Sequence, residues 1–367
     1  MNESFADVHA IVRDAIVSHA TPGAQLSVRW RAGDRWHTHD AAFGTLDYST
    51  GSPAVTVETP YDLASVTKAI VALAAVRLAS RGAIALDARL GDLLDEARHQ
   101  DAHDVSIELL LAHRSELPAW YPFYRAIEAR EAEGGGTHAR IVDDVARMVR
   151  EPTDGKARYS DVGYILLGEA MARATGRPLD EIVRGEVTAP LGIDGVVRYR
   201  GVAERFRSSE FAPTEWCEWR GRVVQGTVHD ENAYALEGIA GHAGLFGTSR
   251  ALAEIGRASL DALRGESAWF ERAWMERMIA PREGGSHRLG WDGKSAQGSS
   301  AGTRMSMRTF GHLGFTGTSI WCDPDANAVV ALVTNRVHPS RENNAIRALR
   351  VAVHDAVMKG LAPSPSP

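Results

Sequence analysis

Cysteine is nearly absent from this chain: among 367 residues only Cys217 and Cys322 occur. They form no thiolate metal cluster, and two reduced thiols are expected rather than a disulfide. The N-terminus, "MNESFADVHAIVRDAIVSHA", lacks a basic segment followed by a continuous apolar one, so no secretory signal is read there. No apolar run of about 18 residues occurs, and no membrane-spanning helix is expected. These readings make a cytoplasmic protein the expectation. Basic residues are not in excess either: 41 Lys and Arg stand against 47 Asp and Glu, for a formal net charge of −6. With no Lys/Arg-rich block and no aromatic–basic interleaving, a nucleic-acid surface is not expected. Internal repeats are lacking too, and nothing calls for a metal or an organic cofactor.

What is present is ordinary in bulk and specific in places. Hydrophobic residues make up 44% and charged residues 24%, the balance of a globular chain able to bury a large core. The length suits one large or two-lobed catalytic domain. Phe5, Val8, Ile11, Val12 and Ile16 recur at helical spacing, and "GAQLSVRWRAG" and "DRWHTHDAAFG" alternate as two strands joined by a glycine turn. A helix is predicted over 61–81, ending near Gly82, and residues 83–205 read as mostly helical. Residues 206–300 give no clear pattern. Strand character returns in "RMSMRTFG", "GTSIWCDP" and "NAVVALVTNRV", and a last helix, "RENNAIRALRVAVHDAVMKG", leads to "LAPSPSP", a tail predicted to be disordered over 361–367. The fold class that follows is α+β: an antiparallel sheet built from both chain ends, flanked by helices, with a mostly helical lobe inserted. One domain over 1–360 is expected, its sheet lobe at about 1–65 and 300–360 and its helical lobe at about 80–300.

The stretch "YDLASVTKAIVALAAVRLA" places Ser65 and Lys68 three residues apart, on one face of a helix. A serine hydroxyl is a weak nucleophile until a base removes its proton. A lysine amine serves only if its pKa falls, and burial in the apolar run Ala69, Ile70, Val71, Leu73, Ala74 and Val76 is expected to lower it. Unpaired amides at the helix start suit a developing oxyanion. S-x-x-K also occurs by chance, with the lysine reaching out to water. In "ARYSDVGYILLGE", Tyr159 stands at a helix entrance capped by Ser160 or Asp161. In "FGHLGFTGTSIW", Gly311, Gly314 and Gly317 surround His312 and mark a strand that another backbone or a ligand approaches closely.

Together these stretches resemble the serine β-lactamase and penicillin-binding-protein superfamily, above all its class C-like serine hydrolase branch. The family order is S-x-x-K, then Y-x-N, then K-T-G or H-x-G. Here it reads Ser65-Val66-Thr67-Lys68, Tyr159-Ser160-Asp161 and His312-Leu313-Gly314. "VSIELLLAHRSELPAW" and "GYILLGEAMARATGRPLDEIVRGEVTAPLGI" are similar to further family segments, and the resemblance covers about residues 20–355. It implies a β-lactamase/transpeptidase-like fold and a serine hydrolase that cleaves an ester or amide of a small-molecule or peptide-like substrate through an acyl-enzyme on Ser65. Lys68 and Tyr159 would relay the proton. The backbone amides of Ser65 and Phe315 would form the oxyanion hole. His312 would stand beside the relay and the substrate, and Gly314 would let its strand lie close to the substrate. Trp120 and Tyr121 would wall the acyl pocket, with core packing as the alternative.

Two residues depart from the family pattern. Asp161 replaces an amide donor by a carboxylate that accepts only, fit to pair with Lys68 or to bind an amine. His312 replaces a permanent cation. Both point away from efficient β-lactam hydrolysis. The alternatives carried forward are a DD-carboxypeptidase or β-lactamase, and a penicillin-sensor-like protein with little turnover. "GSSAG" matches G-x-S-x-G around Ser300 but lacks the preceding apolar strand and following helix. His99 and His103 fall in a polar segment. His229, Asp230 and His242 read as satisfied structural groups. Trp216, Trp219, Trp269, Trp274 and Trp291 have no assigned place.

Overall fold

The computed structural model describes residues 5–204 and 208–362. Residues 363–367 of the tail predicted to be disordered lie outside the described residues, and Leu361 is still the last residue of a helix. Two long strands near the N-terminus, β1 (Gly23–Ala32) and β2 (Arg35–Gly44), form a hairpin, followed by the short β3 (Tyr61–Asp62). Short strands β4 (Arg198–Tyr199), β5 (Trp216–Cys217), β6 (Arg222–Val223) and β7 (Leu245–Gly247) lie in the middle of the chain. Strands β8 (Asp292–Gly293), β9 (Phe310–Leu313), β10 (Ser319–Asp323) and β11 (Ala328–Thr334) follow. The main sheet runs β2-β1-β11-β10-β9-β8, so strands from both ends of the chain meet at the β1–β11 pair. That is the α+β, β-lactamase/transpeptidase-like architecture expected. "RMSMRTFG" forms a strand only at its end, from Phe310.

Five long helices complete the frame: α1 (Ala6–Val17), α2 (Val66–Ser80), α3 (Asp161–Thr175), α4 (Ser249–Arg264) and α5 (Ile346–Leu361). Side chains alternate across the sheet with period two. Leu26, Val28, Trp321, Val330 and Leu332 therefore meet Val8 and Val12 of α1 and Leu349 and Val353 of α5 on one face. Ile320, Cys322, Val329 and Ala331 turn the other way, into the larger core shared with α2 and α4. Helix α2 is buried from Val66 to Leu78 on every side, as an all-round apolar helix must be.

The helix predicted over 61–81 begins only at Val66. Tyr61 and Asp62 pair instead with Gly247 and Phe246 of β7, and Ala64 takes a left-handed φ of 47°. That turn, rare for a residue with a Cβ, swings the chain out of the strand and sets Ser65 at the mouth of α2.

Candidate active site

Ser65 is the N-cap of α2. Lys68 lies one turn on, with no exposed surface. Its Nζ donates to Ser65 Oγ at 2.9 Å and to the His242 carbonyl at 2.9 Å, and it forms an ion pair with Asp161 Oδ1 at 2.7 Å. Two hydrogen bonds and one ion pair thus surround the ammonium. Tyr159 completes the group: Lys68 Nζ lies 4.9 Å from the centre of its ring, and Tyr159 borders the same groove as Ser65. The Ser65, Lys68, Tyr159 and Asp161 predicted from sequence therefore converge.

Their protonation differs from the sequence expectation. Burial does press the Lys68 pKa down, but the charge of Asp161 above all outweighs it, and the net shift is upward. The apolar helix alone would free the amine; the carboxylate in place of asparagine holds its proton on. Burial raises the Tyr159 pKa beyond what Lys68 takes back, so the resting group is an ammonium beside a neutral phenol.

Opposite Ser65, the end of β9 turns back at Gly314 and Phe315. The Ser65 and Phe315 amides donate to no other group among the described residues, and both border the same groove. Gly314 is required by the protein and not only by a ligand: a Cβ there would stand 2.0 Å from Thr318 Oγ1 and 2.5 Å from the Leu63 carbonyl. The close approach that the sequence assigns to substrate is thus made first with the backbone leading into Ser65. Gly314→Ala should push the two amides apart and lower kcat by about 10- to 100-fold, approaching the loss of an oxyanion donor, with KM little changed. Steady-state kinetics beside a thermal melt checks this.

His312 is buried on β9, its ring 6.2 Å from that of Tyr159. Nδ1 donates to the Leu313 carbonyl at 2.8 Å. Burial and the Lys68 charge hold its pKa at about 3, so it is neutral at pH 7. It stands beside Tyr159 but does not line the groove. Sequence reading assigned no role to His113 and His287, which also surround Tyr159 at 4.6 and 5.6 Å. His113 Nδ1 accepts the Ser160 amide at 3.1 Å and so fixes the Tyr159–Asp161 segment. Burial, with His287 and Lys68 nearby, keeps this histidine well below its usual pKa. The signal for it was the histidine of "LLLAHRSEL".

Two arms of a groove meet at Ser65, Tyr159, Phe315 and Arg341. One, of about 410 Å³, is bordered by Trp120, Asp161, His229, Asp230 and Glu231. Trp120 borders this arm, whereas Tyr121 packs on Phe123 and borders neither arm. The other arm, of about 610 Å³, carries Arg336, Arg347 and Arg350. Arg341 is neutralised by Glu215 and Glu231, but no ion pair joins those three arginines to a carboxylate among the described residues. Arg350 is buried, donates to the Gly314 and Thr318 carbonyls, and has its pKa pushed down to about 9 by burial and by Arg336. Sequence reading passed over these cations, although "RALR" sets Arg347 and Arg350 three apart on one helix face. Ser300 borders this arm too, but in a run of turns with no strand–helix elbow.

Asp230 and His242 are structural groups that reach the Lys68 seat. Asp230 Oδ1 accepts from His242 Nε2 at 2.9 Å, and it is the His242 carbonyl that seats Lys68. Trp291 packs on Phe310, Trp219 on Tyr124 and Tyr234, and Trp269 donates to the Glu186 carbonyl. No helix is long and apolar enough to cross a membrane among the described residues.

The sequence profile of the family described as Beta-lactamase matches residues 8–354. An N-acetylmuramyl-L-alanine amidase of Bacillus subtilis (strain 168) is 30% identical over 347 residues, 86% of this chain and 78% of that protein. A putative D-alanyl-D-alanine carboxypeptidase of Escherichia coli (strain K12) is 29% identical over 313 residues, 77% of this chain and 70% of that protein. Among solved structures, EstCE1, a hydrolase with promiscuous acyltransferase activity, superposes with a TM-score of 0.76 at 19% identity, covering 97% of this chain and 99% of the other. Simvastatin synthase (LovD) of Aspergillus terreus gives 0.73 at 18%, covering 98% of each chain. At these identities the two structures speak for the fold.

Proposed function

Since this chain belongs to the Beta-lactamase family of serine hydrolases, we propose that Ser65 is its nucleophile and that it cleaves an ester or amide through an acyl-enzyme. The observation that carries this reading is the bond from Lys68 Nζ to Ser65 Oγ at the start of a buried helix, with the Tyr159 ring 4.9 Å from Nζ. In the reaction Ser65 Oγ attacks the carbonyl carbon as its proton passes to the Lys68–Tyr159 pair, once Lys68 is a free amine. The Ser65 and Phe315 amides hold the oxyanion. The proton then goes to the leaving group, and water releases the acid by the same route in reverse. Residues 1–360 act as one catalytic domain, with Trp120 and Asp161 facing the acyl part. A cytoplasmic location belongs to the proposal, supported by two buried, unpaired cysteines.

A second reading has its own support. Arg336, Arg347 and Arg350 supply, across the groove, the positive charge that His312 lacks, which favours a leaving group that ends in a carboxylate, as in a D-amino-acid peptide. A fluorophosphonate probe followed by peptide mapping tests the core of the proposal: the adduct should sit on Ser65 and not on Ser300. A panel of p-nitrophenyl esters, D-amino-acid amides, carboxyl-terminal D-dipeptides and β-lactams then separates the readings. Turnover of esters with a single burst on β-lactams supports the main one; dipeptide cleavage supports the second; an adduct elsewhere sinks both.

A further inference from the structure

The left-handed turn at Ala64 has a guardian that neither the family motifs nor the groove includes. Asp62 is 2% exposed. Its Oδ1 accepts the Ala64 amide at 2.7 Å, a side-chain turn that substitutes for a backbone one. Its Oδ2 accepts the His229 amide at 2.5 Å. Its carbonyl accepts Thr316 Oγ1 at 2.7 Å, and the next carbonyl, of Leu63, accepts Thr318 Oγ1 at 2.9 Å. From His229 the connection continues. Asp230 holds His242, the His242 carbonyl holds Lys68, and Lys68 returns to Ser65. The ring of contacts closes on the residue that follows Ala64.

We infer that Asp62 is a positioning residue of this site: by accepting the Ala64 and His229 amides together, its carboxylate holds the turn that aims the Ser65 amide at the oxyanion and ties that turn to the wall seating Lys68. The inference rests on the reading of Ser65 as nucleophile. Its physical content is the count of acceptors. A carboxylate offers two acceptor oxygens, whereas a carboxylic acid or an asparagine offers one and turns a donor toward the other amide. One of the two buried N–H groups then loses its partner, and an unpaired donor in that space forces the turn to move.

The groups facing Asp62 are few. Burial raises its pKa to about 6 against the two amide bonds, Asp230 adds to the rise, and Arg220 opposes it. The His229 imidazole has its pKa lowered by burial to about 4. Phe246 of β7 and Thr316 of the β9–β10 turn do not titrate. Asp62 therefore changes charge where these neighbours do not.

The experiment measures the rate of fluorophosphonate labelling and kcat and KM for a p-nitrophenyl ester from pH 4.5 to 9. The wild-type rate should show a step near pH 6 beneath its alkaline rise. Asp62→Asn should lower kcat at pH 8 by about tenfold or more, with KM within about threefold, and should abolish the step. Ala64→Gly, which takes a positive φ freely, needs the carboxylate less, so its step should shrink while its fold is kept; it decides the matter if Asp62→Asn does not fold. A step that persists unchanged in either variant overturns the inference. Ser65→Ala separates the two levels: if it is still labelled, the nucleophile reading fails, whereas if it is silent and Asp62→Asn behaves as wild type, only the role of Asp62 fails.

Discussion

Ser65→Ala should abolish fluorophosphonate labelling and lower ester hydrolysis by about 10⁴-fold or more, roughly 5 kcal/mol of transition-state stabilisation. The fold should not change. Ser65 is only part-buried, its Oγ accepts one bond from Lys68, and that ammonium keeps the His242 carbonyl and Asp161 as partners. An unchanged melting temperature with lost turnover therefore separates chemistry from folding. The loss is large because, among the described residues, Ser65 is the serine whose Oγ accepts from Lys68 Nζ. Ser300 borders the groove, but it is not joined to Lys68, and Ser300→Ala should leave kcat within about twofold. Hydrolysis surviving in Ser65→Ala, measured in the same buffer and substrate, would falsify the assignment.

Asp161→Asn should move the alkaline rise of activity to lower pH, so that the variant overtakes the wild type near neutrality. In the wild type, Asp161 and Tyr159 lift the Lys68 pKa above 10.5 against burial, which alone would lower it. An asparagine still accepts a hydrogen bond but brings no charge, so burial wins and the free amine appears at lower pH. The sign for stability runs the other way. Because the folded pKa of Lys68 lies above its unfolded value of 10.5, the ion pair stabilises the native state fully below that pH and ceases to as pH rises through the folded value. Asp161→Asn should thus lose roughly 1–3 kcal/mol at pH 7, the usual scale for a buried charged donor left with a weaker partner. Thermal melts at pH 7 and kcat profiles from pH 6 to 10 read both effects. A rate profile that keeps its wild-type midpoint would show that Lys68 does not govern the alkaline limb.

The arrangement also accounts for the two departures from the family motifs. The carboxylate at 161 is spent on Lys68 within the protein, at 2.7 Å, and so does not stand free as an anion for a substrate amine. The histidine at 312 is neutral and turned onto its own strand. In the second reading proposed above, cationic recognition would fall instead to Arg336, Arg347 and Arg350, which border the larger arm of the groove.

How much of this was legible beforehand depends on the range of the interaction. Ser65 and Lys68 share a helix face, so spacing alone brought them together. Tyr159, His312 and Gly314 became legible through motif order, and the alternation in β1 and β2 with the strand character of β10 and β11 announced one sheet drawn from both chain ends. The direction of the Lys68 shift was misjudged because burial is visible in a local apolar run, whereas the competing ion pair comes from a residue far along the chain. His113 and Asp62 were missed for the same reason: a buried histidine or aspartate in sequence carries no mark of the backbone amides it will accept.

By itself, then, the sequence determined the α+β class, the helix that carries Ser65 and Lys68 and the side chains proposed for acyl transfer, because those depend on local periodicity and residue chemistry. Only the tertiary structure decided their protonation, the left-handed turn that starts α2 at Val66 instead of Tyr61, and the cationic arm of the groove. Desolvation, ion pairing and amide acceptors are set by groups that the fold brings within a few ångströms from distant parts of the chain, and no window along the sequence contains both partners.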